Sequence, residues 1–265
     1  AQFETIKAID GDLVYIRDLP FRQVKISGAV VKPGTYTMAE GETLNDVVEK
    51  AGGYTNNAYI FGAIYLNEDA KLINKKARDI LYNSFLDNII DAKEKDVSGM
   101  FEIASLVGLA QEIRDSEPNG RVIVDLINDD SIDLYTVKEG DELHIPEANN
   151  VVYVYGEIST EGTVMYTPNK GIDHFIAKSG GYGKFADSRS IFILHPNGES
   201  QLYKRTRNIF ESSPQSEIQV YPGSIIFVPR AINETIPRRL SAQAYVSILG
   251  NLGIALASLS AINND

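Results

Sequence analysis

The feature that most constrains the fold of this chain is an internal repeat. The segment AGGYTNNA at 51–58 matches SGGYGKFA at 179–186, and VKISGAVVKPGTYTM at 24–38 matches VYVYGEISTEGTVMY at 152–166. Both matches keep one offset, the 128 residues from 24 to 152, with aligned glycines and no gap. A constant offset over such a span is typical of a duplicated supersecondary unit. We therefore expect two copies of one arrangement of strands and helices.

Each copy begins with a predicted β-hairpin. Apolar residues alternate with less apolar ones in 24–30 and in 152–158, and this period of two predicts a half-buried strand. A turn follows at 32–34 or 160–162, and a second strand returns beyond it. Glycines at equivalent places in the two hairpins are interpreted as structural turn residues: Gly28 and Gly34 in the first copy, Gly156 and Gly162 in the second.

A short helix is predicted after each hairpin. Apolar or small residues recur at i, i+3, i+4 and i+7, namely Leu44, Val47, Val48 and Ala51 in the first copy and Ile172, Phe175, Ile176 and Ser179 in the second. Thr43 is a predicted N-cap, with Asp46 placed to favour the first turn. The pairs Gly52–Gly53 and Gly180–Gly181 follow the helices, where a left-handed residue ends a helix. We interpret both pairs as structural turns rather than as catalytic or phosphate-binding loops.

The ends of the two copies complete the predicted fold. GDELHIP at 140–146 matches GSIIFVP at 223–229, and the first copy is longer because of a predicted helical hairpin inserted at about 71–119. A hairpin, a helix and returning strands are the order of a β-grasp. We therefore predict an α+β fold with two tandem β-grasp domains, residues 22–150 and 151–232.

Two further segments flank these domains. GDLVYI at 11–16 resembles GDELHI at 140–145, so residues 1–21 are predicted to close a preceding module of a longer protein. Residues 233–265 are predicted to form a C-terminal helix, since no residue from Leu240 to Asn264 is charged. Polar residues form a stripe along it (Gln243, Ser247 and Asn251), and apolar ones lie mostly elsewhere (Tyr245, Leu252 and Leu256). Such an amphipathic helix can line a ring of subunits, lie on a membrane surface or dock on a soluble neighbour.

The composition argues against several classes of function. A net charge of −11 disfavours nucleic acid as a partner, and the absence of cysteine removes disulfides and thiolate metal sites. The three histidines have no metal-ligand spacing, and the acidic segment 128–133 lacks the glycine and distal glutamate of an EF-hand. We find no P-loop and no nucleophile elbow. No metal, cofactor or catalytic residue is predicted, and we expect a protein that is not an enzyme.

Tyrosines are the candidate ligand-binding residues. Four of them recur in the hairpin and helix-end regions of the two copies: Tyr36, Tyr54, Tyr166 and Tyr182. An aromatic ring with a polar tip suits the apolar face and hydroxyl rim of a sugar. The alternative is that these rings pack across strands and cover the helix ends, which is the commoner role of such tyrosines.

The repeat resembles a known family. The pattern VxxxGxVxxPGxY followed by TLxDxVxxAGGxT, between Val24 and Thr55, resembles the soluble-ligand-binding β-grasp (SLBB) domain of polysaccharide export proteins. PNGRVIVDL at 118–126 and GDELHIP resemble further stretches of longer members. The uncharged C-terminal helix is similar to the one by which Wza-type exporters form a ring through the outer membrane.

This resemblance implies a function and a set of partners. The protein is expected to be an oligomeric collar or channel for capsule polysaccharide or exopolysaccharide, in the periplasm or outer membrane of a Gram-negative bacterium. The implied partners are the polysaccharide, further copies of the chain, an inner-membrane export or co-polymerase protein, and the outer membrane through residues 233–265. Three alternatives stay open at this point: an envelope adaptor without sugar contact, a small-ligand binding module and a polysaccharide-modifying enzyme.

Overall fold

The computed structural model of the chain describes residues 9–11, 21–94, 107–108, 110–111, 113–127, 135–203 and 218–231. Several predicted features lie outside these residues. They are most of the closing strand of a preceding module, the acidic segment 128–133 and the C-terminal helix with Gln243, Tyr245, Ser247, Asn251, Leu252 and Leu256. The described part is an α+β structure with two five-stranded sheets.

The first sheet is built from residues of the first copy. Its strands are β1 (Arg22–Gly28), β2 (Gly34–Met38), β3 (Ile64–Leu66), β4 (Arg121–Val122) and β5 (Glu142–Ile145). Their order across the sheet is β2-β1-β5-β3-β4. Strand β1 forms the predicted antiparallel hairpin with β2 and pairs in parallel with β5 on its other side. The GDELHIP segment therefore lies at the centre of the sheet, where both of its neighbours bury it.

The second sheet repeats this arrangement. Its strands are β6 (Val151–Gly156), β7 (Gly162–Met165), β8 (Ile191–Leu194), β9 (Ser200–Tyr203) and β10 (Ile225–Val228), in the order β7-β6-β10-β8-β9. The register is also repeated: Ile26 lies opposite Leu143 in the first sheet, and Val154 lies opposite Ile226 in the second. The internal repeat predicted from the sequence is confirmed.

The elements described beside the sheets include the α-helices α1 (Leu44–Lys50), α2 (Glu68–Glu94) and α3 (Ile172–Lys178). The first and third are the two copies of the predicted short helix. Thr43 caps α1 in a capping box, because its hydroxyl accepts a hydrogen bond from Asp46 N at 3.4 Å and the Asp46 carboxylate accepts one from Thr43 N at 2.7 Å. The predicted N-cap is confirmed. Helix α3 has Gly171 at its N-cap position instead and has no side-chain cap.

The two copies differ most between their third and fourth strands. Strands β8 and β9 are joined by the tight turn at 195–199, with His195 N donating to the Glu199 carbonyl oxygen at 2.7 Å. Strands β3 and β4 pair in the same antiparallel way, but α2 and further helical residues within 107–115 lie between them. Helix α2 begins at Glu68 and β4 at Arg121, on either side of the 71–119 segment in which an insertion was predicted.

Each sheet has its own hydrophobic core against its short helix. The first core joins inward-facing residues of β1 and β5, Val24, Ile26, Leu143 and Ile145, to Leu44, Val47 and Val48 of α1. The second joins Val152, Val154, Ile226 and Val228 to Ile172, Phe175 and Ile176 of α3. The buried side chains of β1, β6, α1 and α3 are those that the period-two and helical patterns of the sequence selected, so the patterns predicted these buried faces correctly.

Candidate functional site

The paired glycines end the two short helices. Gly52 and Gly53 have φ angles of +82° and +86°, in the left-handed region that glycine adopts at low cost. Gly53 N donates to the Val48 carbonyl oxygen at 2.9 Å, and Gly181 N donates to that of Ile176 at the same distance. These bonds satisfy carbonyl groups at the helix ends, as in a Schellman motif. The Gly-Gly-Tyr phrase thus turns the chain in both copies.

Gly28 and Gly156 lie where the backbones of two neighbouring strands approach closely. A Cβ atom added to Gly28 would lie 2.0 Å from the Ile145 carbonyl oxygen, and one added to Gly156 would lie 2.1 Å from that of Val228. Both residues have positive φ angles, +83° and +97°. Gly34 lies opposite Ile26 at the start of β2, and its counterpart Gly162 has a φ of +150°.

The four candidate tyrosines are divided between the two units. Tyr36 packs against the first core, and its hydroxyl donates to the Lys32 carbonyl oxygen at 2.7 Å. Tyr54 forms an isolated β-bridge with Val30 and also packs on the first core. Burial raises the pKa of the Tyr54 hydroxyl. Tyr36 and Tyr54 therefore use much of their ring surface to close the hairpin and the helix end.

The second pair of tyrosines has a similar setting. The ring of Tyr166 stacks on Phe175 with centroids 6.4 Å apart, against the second core. The hydroxyl of Tyr182 donates to Asp173 Oδ1, on the first turn of α3, at 2.9 Å. Each of the packing and hydrogen-bond contacts named here lies within one unit. A role of the four tyrosines in ligand binding stays a prediction.

A cluster that the sequence did not predict joins the two units. We call it the inter-repeat joint and define it by Tyr59, Phe61 and Arg121 of the first unit and Pro196, Tyr221 and Pro222 of the second. The Tyr59 hydroxyl donates to the Pro222 carbonyl oxygen at 3.1 Å, and Arg121 Nη2 donates to the Pro196 carbonyl oxygen. The rings of Phe61 and Tyr221 lie with centroids 4.4 Å apart. The joint therefore combines ring packing with two hydrogen bonds to backbone carbonyls.

Burial dominates the electrostatics of the inter-repeat joint. It lowers the pKa of the Arg121 guanidinium to about 10, and it raises the pKa of the Tyr59 hydroxyl. Among the described residues, Arg121 Nε has no hydrogen-bond partner. The neighbouring His195 is buried, its ring contacts Tyr221 edge-on, and burial lowers the pKa of its imidazole.

A small cavity lies within the joint. Residues of both units line it, including Tyr59, Gly62 and Pro146 of the first and His195, Pro222 and Ile225 of the second. Its volume of about 50 Å³ has room for a few water molecules and not for a sugar ring. The joint is therefore a contact between the units rather than a ligand pocket. Sequence reasoning missed it because the paired residues lie far apart in the chain, as do Tyr59 and Pro222. Its one local signal was the aromatic segment Tyr59-Ile60-Phe61.

The histidines are placed on separate elements. His144 lies on β5 and His174 on α3, and His195 begins the turn between β8 and β9. Within the ranges that the structure describes, no group of three histidine, cysteine or acidic residues is arranged to hold a metal ion. The same ranges contain no helix with the length and hydropathy needed to cross a bilayer.

Comparison with known proteins identifies the repeated unit. The SLBB domain model matches residues 23–61 and 151–203. Each of the two repeats contains one of these matches. The first match covers the hairpin, α1 and the Gly-Gly-Tyr turn, and the second extends to the end of β9. The SLBB match in the first copy stops before β3 and the inserted helix α2.

Two curated relatives extend the similarity. The chain is 23% identical over 204 residues to two forms of the "Polysialic acid transport protein KpsD" of Escherichia coli. The aligned region is 76% of this chain and 35% of each relative, so the chain spans about a third of their length. Together with the SLBB matches, this confirms the predicted relationship to polysaccharide export proteins.

Proposed function

We propose that this protein is a non-enzymatic component of a polysaccharide export apparatus in the envelope of a Gram-negative bacterium. The observation that carries the proposal is the SLBB match in both repeats, together with the similarity to a transport protein over 204 residues. We further propose that each SLBB unit is a β-grasp domain, 22–150 and 151–232, and that the first holds a helical insertion. The repeated order of five strands around one short helix supports that assignment.

The proposed mechanism is passive and geometrical. SLBB units stack into a periplasmic collar, and the shape of the collar guides the polymer. A collar needs neighbouring units at a fixed angle, and the inter-repeat joint supports this requirement. Its half-buried Arg121 and Tyr59 both donate to backbone carbonyls of the second unit, so the two units resist rotation about their connection.

An exposed apolar face on α2 supports assembly with further copies of the chain. Leu72, Ile73 and Ile80 are 60%, 65% and 67% exposed, and contiguous exposed apolar surface is typical of protein interaction sites. We propose that this face of α2 packs on a neighbouring copy in a homo-oligomer. The segment 233–265 then joins the ring or the outer membrane, and an inner-membrane export protein delivers the polysaccharide.

The experiment combines a genetic and a structural readout. Deleting the gene is expected to abolish polysaccharide at the cell surface, and the wild-type gene on a plasmid restores it. Surface polysaccharide that persists in the deletion strain refutes the export function. Electron microscopy of the full-length protein in detergent is expected to show closed rings. The envelope adaptor would be favoured instead by two results together: export depends on the protein, and the purified protein is a monomer both with and without residues 240–265.

A further inference from the structure

A group of basic and aromatic side chains lies at the surface of the second repeat, just after its Gly-Gly-Tyr turn. We call it the basic–aromatic patch and define it by Lys184, Phe185 and Arg230. Lys184 Nζ lies 5.4 Å from the centroid of the Phe185 ring, and the Arg230 guanidinium carbon lies 4.6 Å from it. All three residues are exposed, with Phe185 at 48%. A phenyl ring with two cations close to it thus lies at the surface.

The backbone holds the patch in place. Ala231 N donates to the Phe185 carbonyl oxygen at 2.7 Å, and Ala186 forms a β-bridge with Arg230. The loop that carries Lys184 and Phe185 is therefore attached to the segment that carries Arg230, just beyond the end of β10. A ligand that binds here meets a preorganised surface and orders little of the chain on binding.

The first repeat supplies an internal comparison. Its Ala58 forms the equivalent β-bridge with Glu147. At the positions that correspond to Lys184, Phe185 and Arg230, the first repeat carries Asn56, Asn57 and Glu147, all exposed. The backbone arrangement is the same, yet the ring and both cations are absent. The fold does not require the patch, because the first repeat forms the same turn and bridge without it.

The charge of the patch differs from that of the whole chain. The protein has a net charge of −11, whereas the patch places two cations beside one ring. Among the residues that the structure describes, two carboxylates lie nearby: Glu157 borders Gly183, and Asp187 faces Arg189 at 4.0 Å. Because Arg189 offsets Asp187, the charge balance of these described side chains is positive. An anionic ligand is therefore favoured here and disfavoured over much of the remaining surface.

We propose that the basic–aromatic patch binds a carboxylate-bearing sugar unit of the exported polymer. The Phe185 ring stacks on the apolar face of the sugar, and Lys184 and Arg230 pair with its carboxylate. The identity of the ligand as the exported polymer rests on the proposed export function, whereas the binding of acidic sugars does not. On this basis the second repeat selects acidic polymers and the first repeat does not.

Binding is tested with two defined probes, an oligomer of a uronic or sialic acid and an uncharged glucose oligomer of the same length. Chemical shifts of ¹⁵N-labelled protein are followed during titration, at the amides of Gly183, Ala186 and Ala231. The acidic oligomer is expected to shift these amides and the glucose oligomer to leave them unchanged. Phe185→Ala and Arg230→Gln are each expected to weaken binding by roughly fivefold or more, since a screened charge or ring contact contributes about 1 kcal/mol. Added salt is expected to weaken it as well.

Matched variants separate the patch from general charge effects. Lys75→Gln on α2 removes an exposed cation elsewhere, and Asn57→Ala alters the equivalent loop of the first repeat. Both are expected to bind as the wild type does, and circular dichroism checks that every variant is folded. The proposal is overturned by absence of binding, by equal binding of both oligomers, or by equal binding of the patch and control variants. If export depends on the protein but acidic oligomers do not bind the patch, the export function stands and this proposal fails.

Discussion

Replacing the hairpin glycines by alanine tests how the strands of each repeat approach one another. Gly28 and Gly156 occupy equivalent places at the ends of β1 and β6, and Gly53 and Gly181 occupy equivalent places after α1 and α3. All four have φ angles between +83° and +97°. A Cβ at Gly28 or Gly156 would lie 2.0 or 2.1 Å from a backbone carbonyl oxygen, whereas one at Gly53 or Gly181 would meet nothing within 4 Å. The two pairs therefore share backbone strain and differ in steric contact.

The expected difference follows from this contrast. A left-handed alanine costs about 1–2 kcal/mol at any of the four sites, and this cost cancels between the pairs. At Gly28 and Gly156 the new methyl group overpacks the strand contact, which costs about 1–3 kcal/mol. The same carbonyl oxygens accept hydrogen bonds from Ala29 N at 2.7 Å and Glu157 N at 2.8 Å, and weakening one costs about 1 kcal/mol. Alanine at these hairpin sites should therefore lower the free energy of unfolding by about 2–4 kcal/mol more than alanine at the helix ends.

Urea unfolding followed by circular dichroism measures the difference, and thermal unfolding checks it. At roughly 2–4 °C per kcal/mol for a chain of this size, the hairpin variants should melt well below the helix-end variants. Equal destabilisation of Gly28→Ala and Gly53→Ala would refute the steric argument and leave backbone strain as the whole effect. An effect in one repeat only would show that the two units do not share this contact.

Three further predictions concern other buried groups. Arg121→Ala is expected to loosen the inter-repeat joint and to increase the maximum dimension in small-angle X-ray scattering; an unchanged scattering curve would show that the joint does not fix the units. Asp141→Ala is expected to destabilise the first unit by about 2–4 kcal/mol in urea unfolding, more than Ser224→Ala destabilises the second, because the Asp141 carboxylate accepts from Tyr65, Asn67 and Lys138 N. Burial lowers the pKa of both His144 and His195 in the folded protein. As the pH is lowered through about 6.5, the unfolded chain therefore binds more protons than the folded chain, and the free energy of unfolding decreases. His195→Gln should reduce the loss between about pH 7.5 and 5.5, and an unchanged loss would contradict this assignment.

The secondary structure and the cores could be predicted because the relevant physics is local or periodic. The period-two alternation of apolar residues predicted the buried faces of β1 and β6, and the helical spacing of apolar residues predicted those of α1 and α3. The duplication strengthened each assignment, since every pattern occurred twice at one offset. Thr43 and the Gly-Gly pairs could be placed for the same reason, because a cap or a left-handed turn depends on a few neighbouring residues.

The contacts between the units could not be predicted in this way. Tyr59 meets Pro222 and Arg121 meets Pro196 only after two separate sheets have formed and docked. The basic–aromatic patch could not be predicted for a related reason. Phe185 and Arg230 are distant in the sequence, and the β-bridge between Ala186 and Arg230 brings them together. Periodicity describes the buried side of an element, whereas these sites depend on which exposed ends the topology brings together.

One buried position shows how the repeats diverged within a constant backbone. Asp141 and Ser224 stand at the same place, just before the central strand of each sheet, and both are buried. Each accepts a hydrogen bond from the backbone N–H three residues earlier, Asp141 from Lys138 at 2.7 Å and Ser224 from Tyr221 at 3.1 Å. The remaining partners differ, since Tyr65 donates to Asp141 at 2.5 Å and His195 contacts Ser224 at 3.3 Å. The turn geometry thus persists while the side chains around it change. Because the same holds at the exposed loop that carries Lys184 and Phe185, we infer that the duplicated frame supplies position and the divergent side chains supply specificity.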